Sequence, residues 1–161
     1  MPDMLVRLYD LPDLEPALAR TASAGITVRP AQDAKKAQVL DWATKHFAVW
    51  VPEIEVTFRR KPISCLLAVR ADEILGFAAY DATCRNFFGP TGVIAEERGK
   101  GIGRALLIAA LHAQRAQGYA YAIIGGVGPM EYYSKVVEAQ LIEKSTPGIY
   151  AAALRSTFTP R

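Results

Sequence analysis

The chain has 161 residues, 51% of them hydrophobic and 22% charged, which is typical of one globular domain and excludes a disordered chain. Its 19 Lys and Arg stand against 16 Asp and Glu, and the net charge of +3 is too small to indicate nucleic-acid binding. Two cysteines exclude a disulfide framework, and we find no metal-ligand cluster, signal peptide or apolar run of about 20 residues, so we expect a cytoplasmic protein without a metal or a membrane span.

The first 24 residues predict one strand and one helix. Residues 5–9 predict a short strand, and an apolar face recurs at helical spacing through residues 14–21 until Gly25 ends the helix. We treat residues 1–24 as a strand–helix extension and residues 25–161 as the main domain. The extension either lengthens an edge of the sheet or helps a homodimer to form, and the sequence leaves both open.

The middle of the chain predicts two helices and four strands. Asp33 is a suitable N-cap for the first helix, and Pro52 suits the first position of a second, shorter helix. Residues 71–73 have the length and polarity of a hairpin loop. The predicted helices are residues 33–47 and 52–61, and the predicted strands are residues 26–29, 65–69, 74–80 and 91–95.

The most regular helix of the chain begins at Ile102. Apolar residues recur at i, i+3, i+4, i+7, i+8 and i+11 from Ile102 to Ala113, and Gly118 ends the helix. After it we predict a buried strand at residues 119–124, a short helix at 129–137 and a last strand at 149–154. Helices and strands that interleave in this way predict one mixed α/β domain built around a single sheet.

A glycine-rich loop, residues 97–104, precedes this helix. The first turn of a helix has four N–H groups without an intrahelical partner, and the helix dipole adds about half a positive charge there. Three glycines allow the backbone of the loop to approach a ligand closely. Three cations lie in the same loop, namely Arg98, Lys100 and Arg104. Together these features predict a phosphate-binding site.

Two common phosphate-binding motifs do not match the loop. A Walker loop needs Ser or Thr after its Gly-Lys pair and a glycine five residues earlier, whereas Gly101 follows Lys100 and no glycine precedes Gly99 at that distance. A dinucleotide fingerprint needs Gly or Ala at its sixth position, which is Arg104 when counted from Gly99 and Leu106 when counted from Gly101. A nucleotide-binding protein is therefore disfavoured.

The motif that does match is Arg-x-x-Gly-x-Gly, formed by Arg98, Gly101 and Gly103. It resembles the pyrophosphate-binding motif of the GNAT acetyltransferase superfamily. Val93 stands five residues before Arg98, where that family has an apolar strand residue, and Tyr132–Lys135 resembles the family's second motif. The loop by itself is a weak signal, but the loop followed by the correctly spaced tyrosine helix is a strong one.

The resemblance covers roughly residues 26–154 and implies a GNAT-type fold, in which helices flank a mixed, mostly antiparallel sheet. It also implies an N-acetyltransferase domain over residues 25–161 with acetyl-CoA as cosubstrate. In this family the strand before the loop diverges from its neighbour, and its backbone holds the pantetheine arm and stabilises the thioester oxyanion. The implied cosubstrate-binding residues are Val93, Ile94, Arg98, Gly99, Lys100, Gly101, Ile102, Gly103 and Arg104.

Tyr133 matches the family residue that protonates the leaving thiolate. A phenol, with a pKa of about 10, is a workable acid for a thiolate whose thiol has a pKa of about 8.5. Tyr132, which points about 100° away on the same helix, is the fallback. The alternative is that both tyrosines are core or interface residues.

A base is also needed, because an alkyl amine with a pKa of about 10.4 is protonated at pH 7. Asp81, at the end of a predicted strand, is the first choice, and Glu55, Glu96 and Glu97 are alternatives. We expect the acceptor to lie between the early helices and the central strands, against Trp50, Glu55, Phe58 and Tyr80. Trp50 and Phe58 suit the core equally well.

The sequence therefore predicts direct transfer of an acetyl group from acetyl-CoA to a primary amine in a ternary complex. The acceptor is a small molecule or a peptide amine, and we expect neither nucleic acid nor a membrane as partner. The alternative is a non-catalytic module that binds CoA or acyl-CoA and regulates another process.

Overall fold

The computed structural model describes residues 1–154. Within them the chain forms seven strands and five α-helices. The strands, β1 to β7, are Asp3–Arg7, Ile26–Pro30, Cys65–Arg70, Glu73–Tyr80, Phe87–Val93, Tyr121–Ile124 and Gln140–Ile142. The helices, α1 to α5, are Leu14–Ala22, Lys36–His46, Val51–Thr57, Ile102–Ala116 and Met130–Val137.

The strands form one sheet in the order β2-β3-β4-β5-β6-β1-β7. Neighbouring strands run antiparallel except β5 and β6, which run parallel. Strands β3 and β4 are buried along nearly their whole length, as central strands with both faces covered should be. The expected single domain with a mixed, mostly antiparallel sheet is confirmed.

The two faces of the sheet carry separate cores. Leu66 and Ala68 of β3 pack in a core with α4, whereas Leu67 and Val69 pack in a second core with α2 and α3. Because successive side chains of a strand point to opposite faces, the two cores lie on opposite sides of the sheet. Helix α5 packs on the α4 side, where Val137 is buried.

Strand β1 lies inside the sheet, between β6 and β7. Met4 is paired with Ile124 on one side and with Leu141 on the other. Met4 and Val6 are also buried in the α4 core. The first 24 residues do form a strand and a helix, but the expectation that they lengthen an edge of the sheet is wrong.

The last predicted strand, residues 149–154, is also wrong. Residues 148–150 form a 3₁₀ turn, and residues 149–154 are exposed. The sheet position next to β6 is taken by β1, and the short strand β7 pairs with the other side of β1. Strand β7 was not predicted, because its three residues include no buried side chain and so carry no apolar alternation.

Strand β5 begins earlier than the sequence suggests. We predicted a strand over residues 91–95, because Gly89 and Pro90 indicate a loop, but β5 already begins at Phe87. The register between β4 and β5 shifts between Ala78 and Tyr80. At such a bulge a proline is tolerated in a strand, since its missing N–H interrupts no ladder bond.

Strands β5 and β6 stay paired for only two residues. The pairs are Phe87 with Ile123 and Phe88 with Ile124, after which β6 ends while β5 continues to Val93. Alternate residues of a strand direct their N–H and C=O groups to opposite sides. Part of the backbone of residues 89–93 therefore faces a gap in the middle of the sheet.

Strands β4 and β5 stay paired along this gap and approach each other closely at Gly76. A Cβ atom at Gly76 would lie 2.8 Å from the carbonyl oxygen of Gly92 and 3.1 Å from Leu106 Cδ1.

We expect Gly76→Ala to lower the free energy of unfolding by about 1–3 kcal/mol in urea titrations, because the methyl group pushes the β5 backbone away. Gly128→Ala is the control, since no atom lies within 4 Å of its Cβ position. Equal losses in the two variants would contradict this interpretation.

Candidate active site

The glycine loop adopts a conformation that leaves the start of α4 open. Gly99 and Gly101 have φ angles of 77° and 85°, a region that strongly favours glycine. The first backbone hydrogen bond of the helix runs from the N–H of Ala105 to the carbonyl of Gly101 at 3.1 Å, and no side chain of the described residues caps the helix. The preceding N–H groups are therefore available to an anion.

The three loop cations differ in their surroundings. Arg98 donates from Nε to the carbonyl of Val93 at 3.0 Å, so it ties the loop to the end of β5. Lys100 donates to the carboxylate of Glu97 at 3.0 Å. The charge of Arg104 reaches α5, where it partly opposes the rise that burial causes in the pKa of Tyr132. The predicted cosubstrate residues thus lie together, although the side chain of Ile102 is buried in the core and only its backbone is open.

Sequence reasoning missed a fourth cation, Arg20 of α1. A Cβ atom at Gly101 would lie 3.1 Å from Nε of Arg20, so this guanidinium group covers the middle of the loop. Helix α1 reaches the loop because it packs beside α4. We had set residues 1–24 apart from the site, and the amphipathic pattern of α1 gave no signal for this contact.

Glu97 anchors the loop to β3 instead of acting as a base. Its two carboxylate oxygens accept hydrogen bonds from Arg70 at 2.6 and 3.1 Å. The hydrogen bonds from Arg70, and next the one from Lys100, lower the pKa of Glu97 from 4.5 to about 2. A carboxylate with so low a pKa is a poor proton acceptor at neutral pH, and we do not propose it as the base.

The low pKa of Glu97 predicts a pH-dependent contribution to stability. This contribution is complete above the ordinary pKa of 4.5 and disappears as the pH falls towards about 2, where the folded protein binds the proton. We expect the Tm of Glu97→Gln to lie below that of the wild type at pH 6 and the two values to converge near pH 2. Glu96→Gln, at an exposed neighbour, should behave like the wild type. A Tm difference that stays constant with pH would rule out the ion pair as its cause.

Tyr133 and Tyr132 lie on α5, on the same face of the sheet as α4. Tyr133 is half-buried and packs on the α4 core, whereas the side chain of Tyr132 is 37% exposed. Their ring centroids are 5.2 Å apart in an edge-to-face arrangement. Burial raises the pKa of Tyr133, and Tyr132 raises it further, so its phenol keeps the proton that an acid has to donate.

Asp81 holds a turn and does not face the gap. Its Oδ1 accepts from the backbone N–H of Asn86 at 2.7 Å, and its Oδ2 accepts from the hydroxyl of Tyr119 at 3.1 Å. Its φ angle is 51°, and it borders a surface pocket together with Gln117, which follows the C-terminal end of α4. Both oxygens are engaged at the end of α4 opposite to the glycine loop, so we assign Asp81 to the β4–β5 turn.

The residues expected around the acceptor separate in the structure. Phe58 and Tyr80 are only 4% and 3% exposed, and they belong to the two different cores. Glu55 forms an ion pair with Lys36 at 3.5 Å, between α3 and α2. Glu96 borders a groove beside the edge strand β2. Trp50 alone among the expected acceptor residues borders a cavity next to the gap between β5 and β6.

This cavity has a volume of about 520 Å³, which is within the range of small-molecule sites, and as a candidate site for the acceptor it is called the acceptor cavity. It lies between the first turn of α3, the first half of β5, the turn after β6 and the turn over residues 146–150. The lining residues are Met1, Trp50, Glu53, Thr83, Phe87, Phe88, Gly89, Pro90, Gly125, Gly126, Thr146, Pro147 and Tyr150. Sequence reasoning missed Glu53, because an acid in the first turn of a helix is sufficiently explained by the helix dipole.

Asp3 fixes two walls of the acceptor cavity. Its Oδ1 accepts from the backbone N–H of Gly126 at 2.9 Å, and its own backbone N–H donates to Oγ of Ser145 at 2.7 Å. A Cβ atom at Gly148 would lie 3.4 Å from Oδ2 of Asp3. Strand β1 therefore holds both the turn after β6 and the turn over residues 146–150.

A family comparison covers the glycine loop and the strand before it. The model of the acetyltransferase (GNAT) family matches residues 28–129, which is more than half of the chain. The chain belongs to the GNAT family. GNAT proteins use acetyl-CoA as cosubstrate, so the expected cosubstrate is confirmed at the level of the family. A search of the curated proteins found no match for the chain.

Solved structures show the same fold at low sequence identity. A glucosamine N-acetyltransferase region of a fungal multi-domain β-N-acetylglucosaminidase has a TM-score of 0.73 and 16% identity, over 88% of this chain and 19% of that one. A GNAT protein from Sphaerobacter thermophilus has a TM-score of 0.65 and 19% identity, over 88% and 48% of the two chains. The chain thus spans less than half of either protein. A Brucella melitensis GNAT protein in complex with acetyl-CoA has a TM-score of 0.52 and 18% identity, over 73% and 86%.

Along residues 1–154, none of the helices is long and apolar enough to cross a membrane.

Proposed function

We propose that the protein transfers the acetyl group of acetyl-CoA directly to a primary amine in a ternary complex. One observation carries the proposal: an uncapped, cationic helix start lies at one end of the β5 segment that faces the gap, and a small-molecule cavity lies at its other end. A two-substrate reaction needs both sites on one continuous path, because holding the reactants together removes much of the entropic barrier.

The residues of the loop suit the diphosphate of acetyl-CoA. The open N–H groups of α4 and the exposed side chains of Arg98 and Arg104 supply donors and positive charge, and Arg20 adds a further guanidinium group. Lys100 contributes less charge, because Glu97 pairs with it. The backbone of residues 89–93 offers hydrogen-bonding groups to an extended amide chain, as the edge of a sheet does.

Acetyl transfer forms a C–N bond between the amine and the thioester carbonyl carbon and breaks the C–S bond. An N–H group of β5 that faces the gap is suited to stabilise the charge on the carbonyl oxygen, a contribution worth about 3 kcal/mol in comparable sites. Tyr133 then donates its phenolic proton to the sulfur, and the phenolate recovers a proton from solvent. The attacking nitrogen loses one proton before the attack and a second one afterwards.

Replacement of Tyr133 tests the role of the acid. We expect Tyr133→Phe to lower kcat by about 100- to 10,000-fold in a thiol-release assay, while the Kd for acetyl-CoA changes less than about threefold. Tyr132→Phe, next to it on α5, is the matched control and should keep most of the activity. Because burial raises the pKa of Tyr133, any decline of the wild-type kcat from loss of this proton should lie at higher pH than for a phenol with the ordinary pKa of 10.0.

The outcome also separates catalysis from simple binding. If the wild type binds acetyl-CoA but Tyr133→Phe and Tyr132→Phe release thiol at the wild-type rate, the proposed acid is wrong. If the wild type binds CoA and releases no thiol with any amine, the protein is a CoA-binding module.

A further inference from the structure

We propose that the acceptor is a compact cationic amine with an apolar carbon skeleton, whose ammonium group binds the carboxylate of Glu53. This inference rests on the proposed acetyl transfer and specifies the acceptor. It assigns a role to Glu53, which borders the acceptor cavity from the first turn of α3.

Glu53 is partly buried as a residue, and its carboxylate has no protein partner among residues 1–154. The ion pairs of this part of the chain all involve other acids, and so do the hydrogen bonds that its carboxylates accept. Glu55 differs in this respect, because it lies two residues further along the same helix and pairs with Lys36. A carboxylate without a protein partner at the wall of a cavity is available for a charge-assisted hydrogen bond from an ammonium group of a ligand.

The walls beside Glu53 are aromatic. Trp50 stacks on Phe47 with ring centroids 5.7 Å apart and an interplanar angle of 18°. Phe47 in turn presses on β5, since a Cβ atom at Gly92 would lie 2.6 Å from its ring. Trp50 is therefore held in place before a ligand arrives. A cation next to a carboxylate and an aromatic face gains from both, and aromatic rings also cover apolar carbon atoms well.

Two more rings, those of Phe87 and Tyr150, line the cavity next to Gly125. A Cβ atom at Gly125 would lie 2.8 Å from the ring of Phe87 and 3.6 Å from the hydroxyl of Tyr150. Burial and the nearby charges of Asp3 and Glu53 raise the pKa of Tyr150, so its hydroxyl remains neutral. Phe87 and Tyr150 therefore offer aromatic carbon atoms and one neutral hydroxyl group to the acceptor.

The position of the cavity fits the attack. Phe88, Gly89 and Pro90 belong to its lining, and β5 leaves β6 directly after Phe88. An amine held at Glu53 therefore lies beside the start of the open β5 segment. A volume of about 520 Å³ holds a small molecule and excludes a folded chain from full entry.

Phenethylamine and phenylalanine form a matched pair of probes, because they differ by one carboxylate next to the amine. We expect the wild type to acetylate phenethylamine with a kcat/KM at least about tenfold above that for phenylalanine. The reason is that the carboxylate of phenylalanine is repelled by the carboxylate of Glu53. Glucosamine, an equally cationic but polar amine, tests the apolar skeleton and should also be the poorer acceptor.

The variant Glu53→Gln tests the residue, and Glu55→Gln is its control on the same helix. We expect Glu53→Gln to raise the KM for phenethylamine about 10- to 100-fold with a smaller change in kcat, and to weaken phenethylamine binding to the CoA-bound protein equally in calorimetry. The Kd for acetyl-CoA should not change in either variant, and Glu55→Gln should match the wild type throughout.

The results separate this inference from the proposed function. If the wild type fails to bind acetyl-CoA, the proposed function fails. If it binds acetyl-CoA and acetylates amines but Glu53→Gln matches Glu55→Gln, the role of Glu53 is wrong. Preference for phenylalanine or glucosamine over phenethylamine, or binding of none of the three, overturns the acceptor class.

Discussion

Strand β5 has to remain bound to β4 after it has left β6, and the site depends on this constraint. Backbone N–H and C=O groups in a folded protein normally find partners, so a strand that loses one neighbour tends to be pulled out of position or covered. Strand β5 stays paired with β4 up to Val93, and two close approaches accompany this pairing, namely that of Gly76 to the backbone of Gly92 and that of the Phe47 ring to Gly92. Glycine at both positions allows these approaches, because a side chain would force the strands or the ring apart.

Helix α4 completes the proposed binding site next to the point where β5 and β6 diverge. Its buried face packs on β4 and β5, and its first turn opens where β5 ends. The pairing of Glu97 with Arg70 ties the turn before the loop to β3, and Arg98 ties the loop to Val93. The loop is therefore held at its start by these two contacts and at its end by α4, and its open N–H groups have a defined direction before a ligand binds. Preorganisation of this kind removes a cost that binding would otherwise carry.

The parts of the site that could be predicted from sequence are those with a local signature. Their residue spacings can be recognised in the sequence without knowledge of the tertiary structure. This holds for the loop at residues 98–104, for the helix that follows it and for the tyrosines of α5. The position of β1 had no such signature, because a strand with buried residues such as Met4 and Val6 reads the same in the middle of a sheet as near its edge. The assignment of Asp81 failed for the same reason, since its partner Tyr119 is distant in sequence.

Acid residues show this limit most clearly. In the sequence Glu53, Glu55 and Glu97 are three glutamates of the same charge, and only the structure separates them by their partners. Glu97 lies between Arg70 and Lys100, Glu55 faces Lys36, and the carboxylate of Glu53 borders a cavity. The sequence shows which side chains are charged. Which residue each of them pairs with depends on the order of the strands and on the packing of α2 and α3.

Backbone hydrogen exchange in the presence and absence of acetyl-CoA tests the central claim most directly. The claim is that one ligand occupies both the start of α4 and the open side of β5. Slower exchange on binding is expected at the amides of residues 99–104 and also at those amides of residues 89–93 that face the gap, with β2 unchanged. Protection of the loop without any change in residues 89–93 would contradict the account, because the phosphates would then be bound while the acyl arm lay elsewhere.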